Sequence, residues 1–424
     1  MRTTRTEFKR TEVGKIPEDW KFEELDKHAK ITMGQSPESI YYNSVGNGTL
    51  FLQGIRTFGH LYPKYDTWTT RVTKLAKRGS ILLSVRAPVG EVNLADNEVC
   101  IGRGLMSIDG ENNQFVFYLF KAYKDYVIGR ESGTVYGSVT RDDVAKLRFP
   151  FPNEIEQKAI AKILFDLDSK IELNQQMNKT LESIATAIFK HWFVDFEFPN
   201  EEGKPYKSSG GEMVYNEAVG KELPKGWKIS KLGDEIEVGG GTTPDTNVSS
   251  YWENGDINWA TPKDLSALTS SILTDTERKI TPKGLASIGS RKYPSGTLLM
   301  SSRAPIGYLA ISEIDVAVNQ GIIAMVCNRS LSSFFMLEWC RSSMAQIENR
   351  ANGTTFREIS KSSFRSMPIC VPPESILSIF DSLAESLYSR IRFNVKQSQI
   401  LTKIRDTLLP KLMSGKIRVP VEAR

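Results

Sequence analysis

The residues that could do chemistry in this chain are few and widely scattered. Its 424 residues include three histidines, His28, His60 and His191, and four cysteines that form no CxxC pair. Zinc sites and nucleophilic triads need several such residues at recognisable spacings. The sequence therefore predicts no metal centre and no histidine-dependent catalytic site.

Nucleotide-binding and nuclease motifs are absent or weak. No GxxxxGK[ST] loop occurs; the Gly-Lys pairs at 14–15 and 415–416, for example, are each followed by isoleucine. The segment VPPE at 371–374 lacks the flanking residues with which an amino-methyltransferase holds a flipped base. Two scattered carboxylate and lysine sets have the residue types of a nuclease, Asp195 with Glu202 and Lys204, and Asp264 with Glu277 and Lys279. Both sets lie in turn-rich or linker sequence, so the chain is predicted to lack catalytic residues.

Two basic stretches occupy matching places in the sequence. Between residues 56 and 86 there are seven basic residues against one acid, and between 263 and 303 there are seven against three. Each stretch ends in the same turn, written LLSVRAPVG at 82–90 and LMSSRAPIG at 299–307. Lysine and arginine neutralise phosphates and read base edges, so the recurrence favours a nucleic-acid ligand over a solvated surface.

Self-similarity extends over most of the chain. IPEDWK at 16–21 matches LPKGWK at 223–228, and the same offset of 207 places Gly34 on Gly241. The offset is 217 around the RAPxG turns and 220 from about residue 132 onwards. The chain is therefore two copies of one unit of about 200 residues.

Each copy begins with a globular part and ends with a long helix. Short apolar runs bounded by turns predict strands, and amphipathic segments at 115–127 and 333–347 predict helices, so each globular part mixes both. From Glu154 onwards apolar residues recur at alternating intervals of four and three, which predicts a coiled-coil helix that returns 220 residues later. Asn174 and Asn394 interrupt the two seams at matching places. A buried asparagine costs stability but fixes helix register.

These features resemble the specificity subunit of type I restriction and modification systems. The resemblance covers essentially the whole chain and is most specific in EQKAIAKILFDLDSKIELN and LESIATAIFKHWFVDF of the first helix and in LLPKLMSGKIRV at 408–419. It implies an α+β fold, with two tandem target recognition domains, each followed by a long helix, and the two helices packed as an antiparallel coiled coil. The expected segments are target recognition domain 1 (1–152), first spacer helix (153–198), linker (199–220), target recognition domain 2 (221–372), and second spacer helix with C-terminal tail (373–424).

The resemblance also implies a division of labour. In the family this chain reads a split sequence in double-stranded DNA, while two methyltransferase (modification) subunits and restriction/translocase subunits use S-adenosylmethionine, ATP and Mg²⁺. This chain is accordingly expected to be non-catalytic and to bind no cofactor. A cytoplasmic location is expected, because no apolar run is long enough to span a bilayer and the cysteines show no disulfide pattern. A stand-alone bivalent DNA-binding protein is the main alternative, and a nuclease a weaker one.

Residues for DNA contact and for assembly follow from these arguments. Arg86 and Arg303 rank first because they recur in the RAPxG turn, although an arginine there can instead bridge backbone carbonyls. The aromatic candidates Tyr136 and Phe356 can equally be packed side chains of a turn. The candidates for DNA contact are Arg71, Lys74, Arg86, Arg103, Tyr136, Lys279, Arg291, Arg303, Gln320 and Phe356. Asn174 and Asn394 are expected to set helix register, and Trp192, Phe193 and Phe196 to form a partner-docking end of the first helix.

Overall fold

The chain folds into two compact units that each contain one globular half. A computed structural model describes residues 7–129, 137–217, 220–289, 291–353 and 357–419. The first unit comprises Met1–Leu173 with Gln397–Arg424, and the second comprises Asn174–Lys396. Both long helices are therefore shared between the units. Within the described ranges, no helix has the length and apolarity needed to cross a membrane.

Two sheets form the globular part of the first unit. Ile81–Ser84, an inner strand of the four-stranded sheet, is buried at all four positions, because Ile81 and Leu83 pack in the cluster that contains the helix Asn113–Ala122 and Leu82 packs with residues of the five-stranded sheet. In the five-stranded sheet, Val99–Ile101 pairs parallel with Thr49–Leu52. The order in the first sheet is Val92–Leu94, Ile81–Ser84, Leu105–Gly110 and Ala29–Met33, and in the second it is Tyr42–Asn43, Trp68–Thr69, Thr49–Leu52, Val99–Ile101 and Leu75–Ala76. Hairpin partners are Phe8–Thr11 with Gly14–Pro17, and Lys21–Glu24 pairs with Arg148–Phe151.

The second unit repeats this plan. Ile257–Ala260 pairs parallel with Val316–Val318, as its counterpart does in the first unit. The five-stranded sheet has the order Glu237–Gly240, Ile322–Val326, Leu298–Ser302, Ile306–Ser312 and Ile272–Leu273, and the three-stranded sheet has Lys279–Ile280, Ile257–Ala260 and Val316–Val318. Two further pairs are Met213–Asn216 with Lys221–Pro224 and Lys228–Lys231 with Pro368–Val371.

Short helices pack on these sheets. Asn113–Ala122 starts where the Asn112 side chain accepts a hydrogen bond from the backbone N–H of Phe115, and Ser332 caps Ser333–Ser342 in the same way. Six consecutive residues of each of these two helices are buried, because each lies between a sheet and the long helices. The other short helices are Lys124–Ile128, Arg141–Ala145, Leu232–Glu235, Pro262–Ser266, Pro282–Ser287, Met344–Asn349 and Lys361–Arg365.

The two long helices extend over Glu154–Phe189 and Glu374–Met413, and the second continues through Pro410. In the second unit they are antiparallel, because Asn178 contacts Asn394 whereas Phe189, further along, contacts Phe380. Asn394 donates from Nδ2 to Oδ1 of Asn178 at 2.9 Å, and Asn174 donates to the Asn394 backbone carbonyl at 3.4 Å. The α+β fold with paired long helices is confirmed. The predicted domain limits, which lie at 152 and 372, stay predictions.

A buried carboxylate anchors each globular half to the long helices. In the first unit Asp168 accepts hydrogen bonds from Tyr118 at 2.8 Å and from Arg405 at 2.6 Å, and His60 Nε2 lies 2.8 Å away. In the second unit Glu338 accepts hydrogen bonds from Tyr388 at 2.9 Å and from Arg341 at 2.6 Å. Both carboxylates are almost fully buried. These contacts fix the globular halves on the helices that carry them.

Candidate nucleic-acid interface

The repeated RAPxG string forms a turn that is closed by a buried serine. Ser84 donates from Oγ to the carbonyl of Pro88 at 2.7 Å and accepts from the backbone N–H of Glu91 at 2.9 Å. Ser301 makes the equivalent bonds to Pro305 and from Tyr308, each at 2.8 Å. The serine holds both ends of the turn, which explains why the string recurs. Arg86 and Arg303 each lie inside this turn, just after the inner strands Ile81–Ser84 and Leu298–Ser302.

Three loops meet beside Arg86 in the first unit. The N–H of Val85 donates to the carbonyl of Gly104 at 3.0 Å, so Arg86 lies next to the loop that carries Arg103. The backbone N–H of Arg103 donates to Ser36 Oγ at 3.1 Å, and that hydroxyl donates to Gln53 Oε1 at 2.9 Å. We call Ser36, Gln53, Arg86 and Arg103 the first loop cluster.

The second unit builds the same arrangement with different side chains. The N–H of Ser302 donates to Gly321 O at 2.8 Å, which brings Arg303 beside the loop that carries Gln320. Thr243 donates from its hydroxyl to Gln320 Oε1 at 2.6 Å. We call Thr243, Arg303 and Gln320 the second loop cluster. Thr243 corresponds to Ser36 at an offset of 207. Arg303 and Gln320 correspond to Arg86 and Arg103 at an offset of 217.

Glycines allow the loops of each cluster to approach closely. A Cβ added at Gly34 would collide with the carbonyl of Gly102, and one at Gly241 would collide with the carbonyl of Val318. These are equivalent places in the two copies, where one backbone passes directly over another. The Gly34 and Gly241 landmarks of the repeat therefore mark loop contacts inside the two clusters.

The leading arginines differ in how firmly they are held. Arg303 Nη1 lies 3.6 Å from Oε2 of Glu358, whereas the residue equivalent to Glu358 in the first copy is Ser138. Arg86 is exposed and forms no ion pair with any residue that the structure describes, and the same holds for Arg103. The first cluster thus presents two uncompensated guanidinium groups, while the second presents one partly neutralised guanidinium and one amide.

Each unit also holds an arginine against an aromatic ring. The Arg71 guanidinium lies 5.3 Å from the Tyr41 ring and 3.6 Å from Glu38, and the Arg278 guanidinium lies 3.5 Å above the Trp252 ring. Thr69 and Thr276 donate to the carbonyls of these arginines, at 3.0 Å and 2.8 Å. The two arginines share the local sequence pattern Thr-x-Arg, while their aromatic partners, Tyr41 and Trp252, do not correspond at any offset of the repeat. The Arg278 guanidinium, stacked on Trp252, keeps its planar edge of donors free for a ligand, whereas Arg71 donates from Nη1 to the Tyr41 hydroxyl at 3.4 Å.

Arg278 is a candidate that sequence reasoning missed. The pattern Thr-x-Arg, shared with Arg71, is the sequence signal for it, whereas the predicted contact in this stretch is the neighbouring Lys279. Lys279 is exposed and lies 3.4 Å from Asp275. Lys74 is exposed in the first unit. Arg291 forms an ion pair with Glu237 at 2.5 Å and lies 4.8 Å from the Tyr293 ring, so it already has a packing role within its own unit.

The other predicted positions have mixed outcomes. Tyr136 and Phe356 lie outside the described residues. Phe193 and Phe196 are 8% and 5% exposed and pack on Trp227, so these two belong to the core of the second unit and are not an exposed docking end. Trp192 is half-buried beside Phe380. Within the described ranges, no group of three or more His, Cys, Asp or Glu residues is arranged to hold a metal ion.

Comparison with known proteins supports the resemblance seen in the sequence. The chain is 29% identical to the type I restriction enzyme MjaIX specificity subunit of Methanocaldococcus jannaschii, over 98% of this chain and 97% of that protein. It is 27% identical to the HindI specificity subunit of Haemophilus influenzae, over 81% and 88% of the two chains. The crystal structure of the type I restriction-modification S subunit from M. genitalium matches 93% of this chain and 96% of that chain, with a TM-score of 0.58 at 17% identity, which shows a shared fold.

The two copies of the repeat also match one family twice. The family of the type I restriction modification DNA specificity domain matches residues 17–183 and again residues 224–397. Each match begins close to the IPEDWK or LPKGWK landmark and ends within a long helix. Together they span most of the chain, and the chain belongs to the type I restriction-modification DNA specificity subunit family.

Proposed function

We propose that this chain reads both halves of a split DNA sequence for a type I restriction-modification complex, one half with each unit. The observation that carries this proposal is the repetition of the loop cluster, with an arginine held at the same turn in both copies. Guanidinium and amide groups on exposed loops supply the donors that bind phosphates and base edges. Two copies on one chain provide two such readers.

Differences between the clusters support two different half-sequences. Arg103 of the first cluster is replaced by Gln320 in the second, and Ser138 beside Arg86 is replaced by Glu358 beside Arg303. Arginine pairs best with the O6 and N7 acceptors of guanine, whereas glutamine pairs with adenine and a carboxylate accepts from cytosine. The same backbone positions therefore present different hydrogen-bonding chemistry, as a target with unlike halves requires.

Exposed apolar residues on the long helices support docking of two copies of one partner. Leu173 and Phe393 are equivalent at the 220 offset and are 48% and 53% exposed, and Ile184 and Ile404 form a second equivalent pair, each 42% exposed. Large apolar side chains at repeated exposed positions suit a protein interface. We assign these positions to two methyltransferase subunits, which methylate adenine in the recognised sequence.

The reactions are assigned to partner subunits. S-adenosylmethionine is expected on the methyltransferase subunits, and ATP and Mg²⁺ on the restriction subunits, with no cofactor on this chain. The lack of a GxxxxGK[ST] loop in the sequence supports this division. We place the assembled complex in the cytoplasm, where its substrate DNA is found.

Selection of duplexes from a random library tests the proposal. The purified chain is combined with the methyltransferase subunit of the same system, and bound DNA is sequenced. A motif of two short specified halves with a fixed gap is expected, and omission of this chain should abolish it. Selection of one continuous motif, or of the same motif by the methyltransferase alone, would contradict the proposal. Equally tight selection of the split motif by this chain alone would favour the stand-alone DNA-binding protein.

A further inference from the structure

The second unit contains an open hollow of about 750 Å³ beside the end of the first long helix. Aromatic and apolar side chains form its walls, and the exposed amines of Lys190 and Lys221 lie at its edge. Ser343 and Gln346 line one side, where a larger residue would fill the space. The principal wall residues are Phe189, Phe193, Trp227, Phe335, Trp339 and Ile369.

The first unit fills the equivalent space with its own tyrosines. At the 220 offset, Ser343 corresponds to Tyr123 and Gln346 to Tyr126. The Tyr123 hydroxyl donates to the backbone carbonyl of Met413 at 2.9 Å, and its ring centroid lies 6.1 Å from that of Phe149. Burial raises the pKa of the Tyr123 hydroxyl, in keeping with its enclosed position.

The walls of the two sites correspond residue by residue. Met413, which accepts the hydrogen bond from Tyr123, is equivalent to Phe193, and Phe149 is equivalent to Ile369. Both units therefore have the walls of this site, but only the first unit has a tyrosine whose phenol fills it. A volume of 300–1,000 Å³ with mainly apolar walls is typical of sites that bind a compact group.

We propose that this hollow binds a tyrosine side chain presented by the methyltransferase subunit. The inference rests on the proposed function for the identity of the partner. The repeat supplies the template, in which the incoming hydroxyl donates to the backbone carbonyl of Phe193 as Tyr123 does to that of Met413. Tyrosine is a frequent anchor residue of protein interfaces, because its ring buries apolar area while its hydroxyl stays hydrogen-bonded.

Position and charge both favour this occupant. Lys190 lies at the hollow six residues beyond Ile184, the exposed residue assigned to the same partner. Arg341 at the edge is already neutralised by Glu338 and Glu182, at 2.6 Å and 3.3 Å. Lys190 and Lys221 remain to attract anionic groups, so acidic residues are expected on either side of the partner's tyrosine.

Filling the hollow tests the proposal. The variant Ser343→Tyr copies Tyr123, and Ser330→Tyr, in an exposed loop of the same unit, is the matched control. Calorimetric titration of the full-length chain with the purified methyltransferase subunit should show affinity reduced about tenfold or more by Ser343→Tyr and unchanged by Ser330→Tyr. Should Ser343→Tyr fold poorly, Lys190→Glu with Lys207→Glu as its control replaces it and is expected to show the same loss.

Binding of a small phenol tests the hollow in the absence of the partner. The probe is p-cresol, the side-chain analogue of tyrosine, measured by ligand-observed NMR with the full-length chain. Saturable binding at millimolar concentration is expected for the wild type and for Ser330→Tyr but not for Ser343→Tyr. The proposal would be overturned if Ser343→Tyr and Ser330→Tyr bound the methyltransferase subunit with equal affinity, or if they bound p-cresol equally. A wild-type chain that binds p-cresol but never the methyltransferase would refute the proposed function and the assigned partner, while leaving the phenol site intact.

Discussion

In the first unit the hydroxyl of Tyr118 donates a hydrogen bond of 2.8 Å to the buried carboxylate of Asp168. The second unit has the same bond with its partners exchanged, because position 338, equivalent to Tyr118, is glutamate and position 388, equivalent to Asp168, is tyrosine. The repeat has kept a phenol-to-carboxylate bond between the globular half and the long helix. The carboxylate therefore lies on the long helix in the first unit and in the globular half in the second.

The exchange places the two carboxylates in different electrostatic surroundings. Burial alone would raise the pKa of Asp168, but the hydrogen bond with His60 and the charges of Lys121 and Arg405 outweigh burial and hold that pKa well below its usual value. For Glu338 burial dominates and raises the pKa, although Arg341 opposes the change. The two anchors should therefore respond differently to mutation and to pH.

Neutralising the two anchors should have unequal effects on stability. Asp168→Asn leaves Arg405 and Lys121 without their shared buried counter-ion, so we expect the first unit to lose about 3–5 kcal/mol of unfolding free energy. Glu338→Gln removes a charge whose burial is already unfavourable, and Arg341 keeps Glu182, so a loss of about 1 kcal/mol or less is expected. Urea unfolding monitored by hydrogen exchange in each unit measures both. Equal losses would contradict the assigned environments.

The same contrast predicts opposite pH dependences. Because the pKa of folded Glu338 is raised, its favourable contribution is complete below the unfolded value of 4.5 and is lost as the pH rises. Because the pKa of folded Asp168 is lowered, its contribution is complete above the unfolded value of 3.8 and is lost only as the pH falls below it. As the pH falls from 7 to 4.5, protonation of Glu338 should therefore progressively stabilise the second unit, and Glu338→Gln should remove that gain. Identical pH profiles for the wild type and Glu338→Gln, compared by hydrogen exchange in the second unit, would refute the assignment.

The paired asparagines should set the spacing that the assembled complex recognises. Replacing Asn174 and Asn394 together with leucine removes the bonds to the Asn394 carbonyl and to Asn178, and should stabilise the helix pair while allowing other registers. Relative binding to targets whose gap differs by one base pair measures the register. Ile171→Leu, at a seam position that is already apolar, is the control. Undiminished gap discrimination by the double variant would count against a register role.

Arg278 should contribute to recognition of one half-sequence only. Its guanidinium is fixed above Trp252 at an exposed edge of the second unit, so Arg278→Ala should cost about 1–3 kcal/mol at one base position if the edge reads a base. Arg71→Ala should act in the same way on the other half. Competition binding with single-base variants of the target measures both effects. A uniform loss across all sequences, with a smaller salt dependence, would instead assign Arg278 to a phosphate.

The sequence predicted the features that depend on local pattern. Periodicity identified both long helices, and equivalence at the 220 offset identified Asn174 and Asn394, which are buried as expected. Recurrence of the RAPxG string identified Arg86 and Arg303, because the same turn, closed by a buried serine, needs the same residues in each copy.

Features that depend on distant partners were not predictable in this way. Phe193 and Phe196 have the composition of a docking end, but Trp227, which buries them, comes about 30 residues later from another element. Comparing residue identities between the two copies does not reveal the exchanged phenol-to-carboxylate bond. Tyr118 corresponds to Glu338 and Asp168 to Tyr388, so neither position has the same residue in both copies. Arg278 lies in the stretch where the offset changes from 207 to 217, so the two copies cannot be aligned by a single offset there.

Mapping of methylated adenines tests most directly whether each unit reads one half of the target. DNA is sequenced from cells that express the methyltransferase subunit with the wild-type chain, with Arg86→Ala, with Arg303→Ala, or without this chain. A split motif should appear only when the chain is present, with Arg86→Ala relaxing one half and Arg303→Ala the other. Relaxation of the same half by both variants, or an unchanged motif without the chain, would contradict the claim.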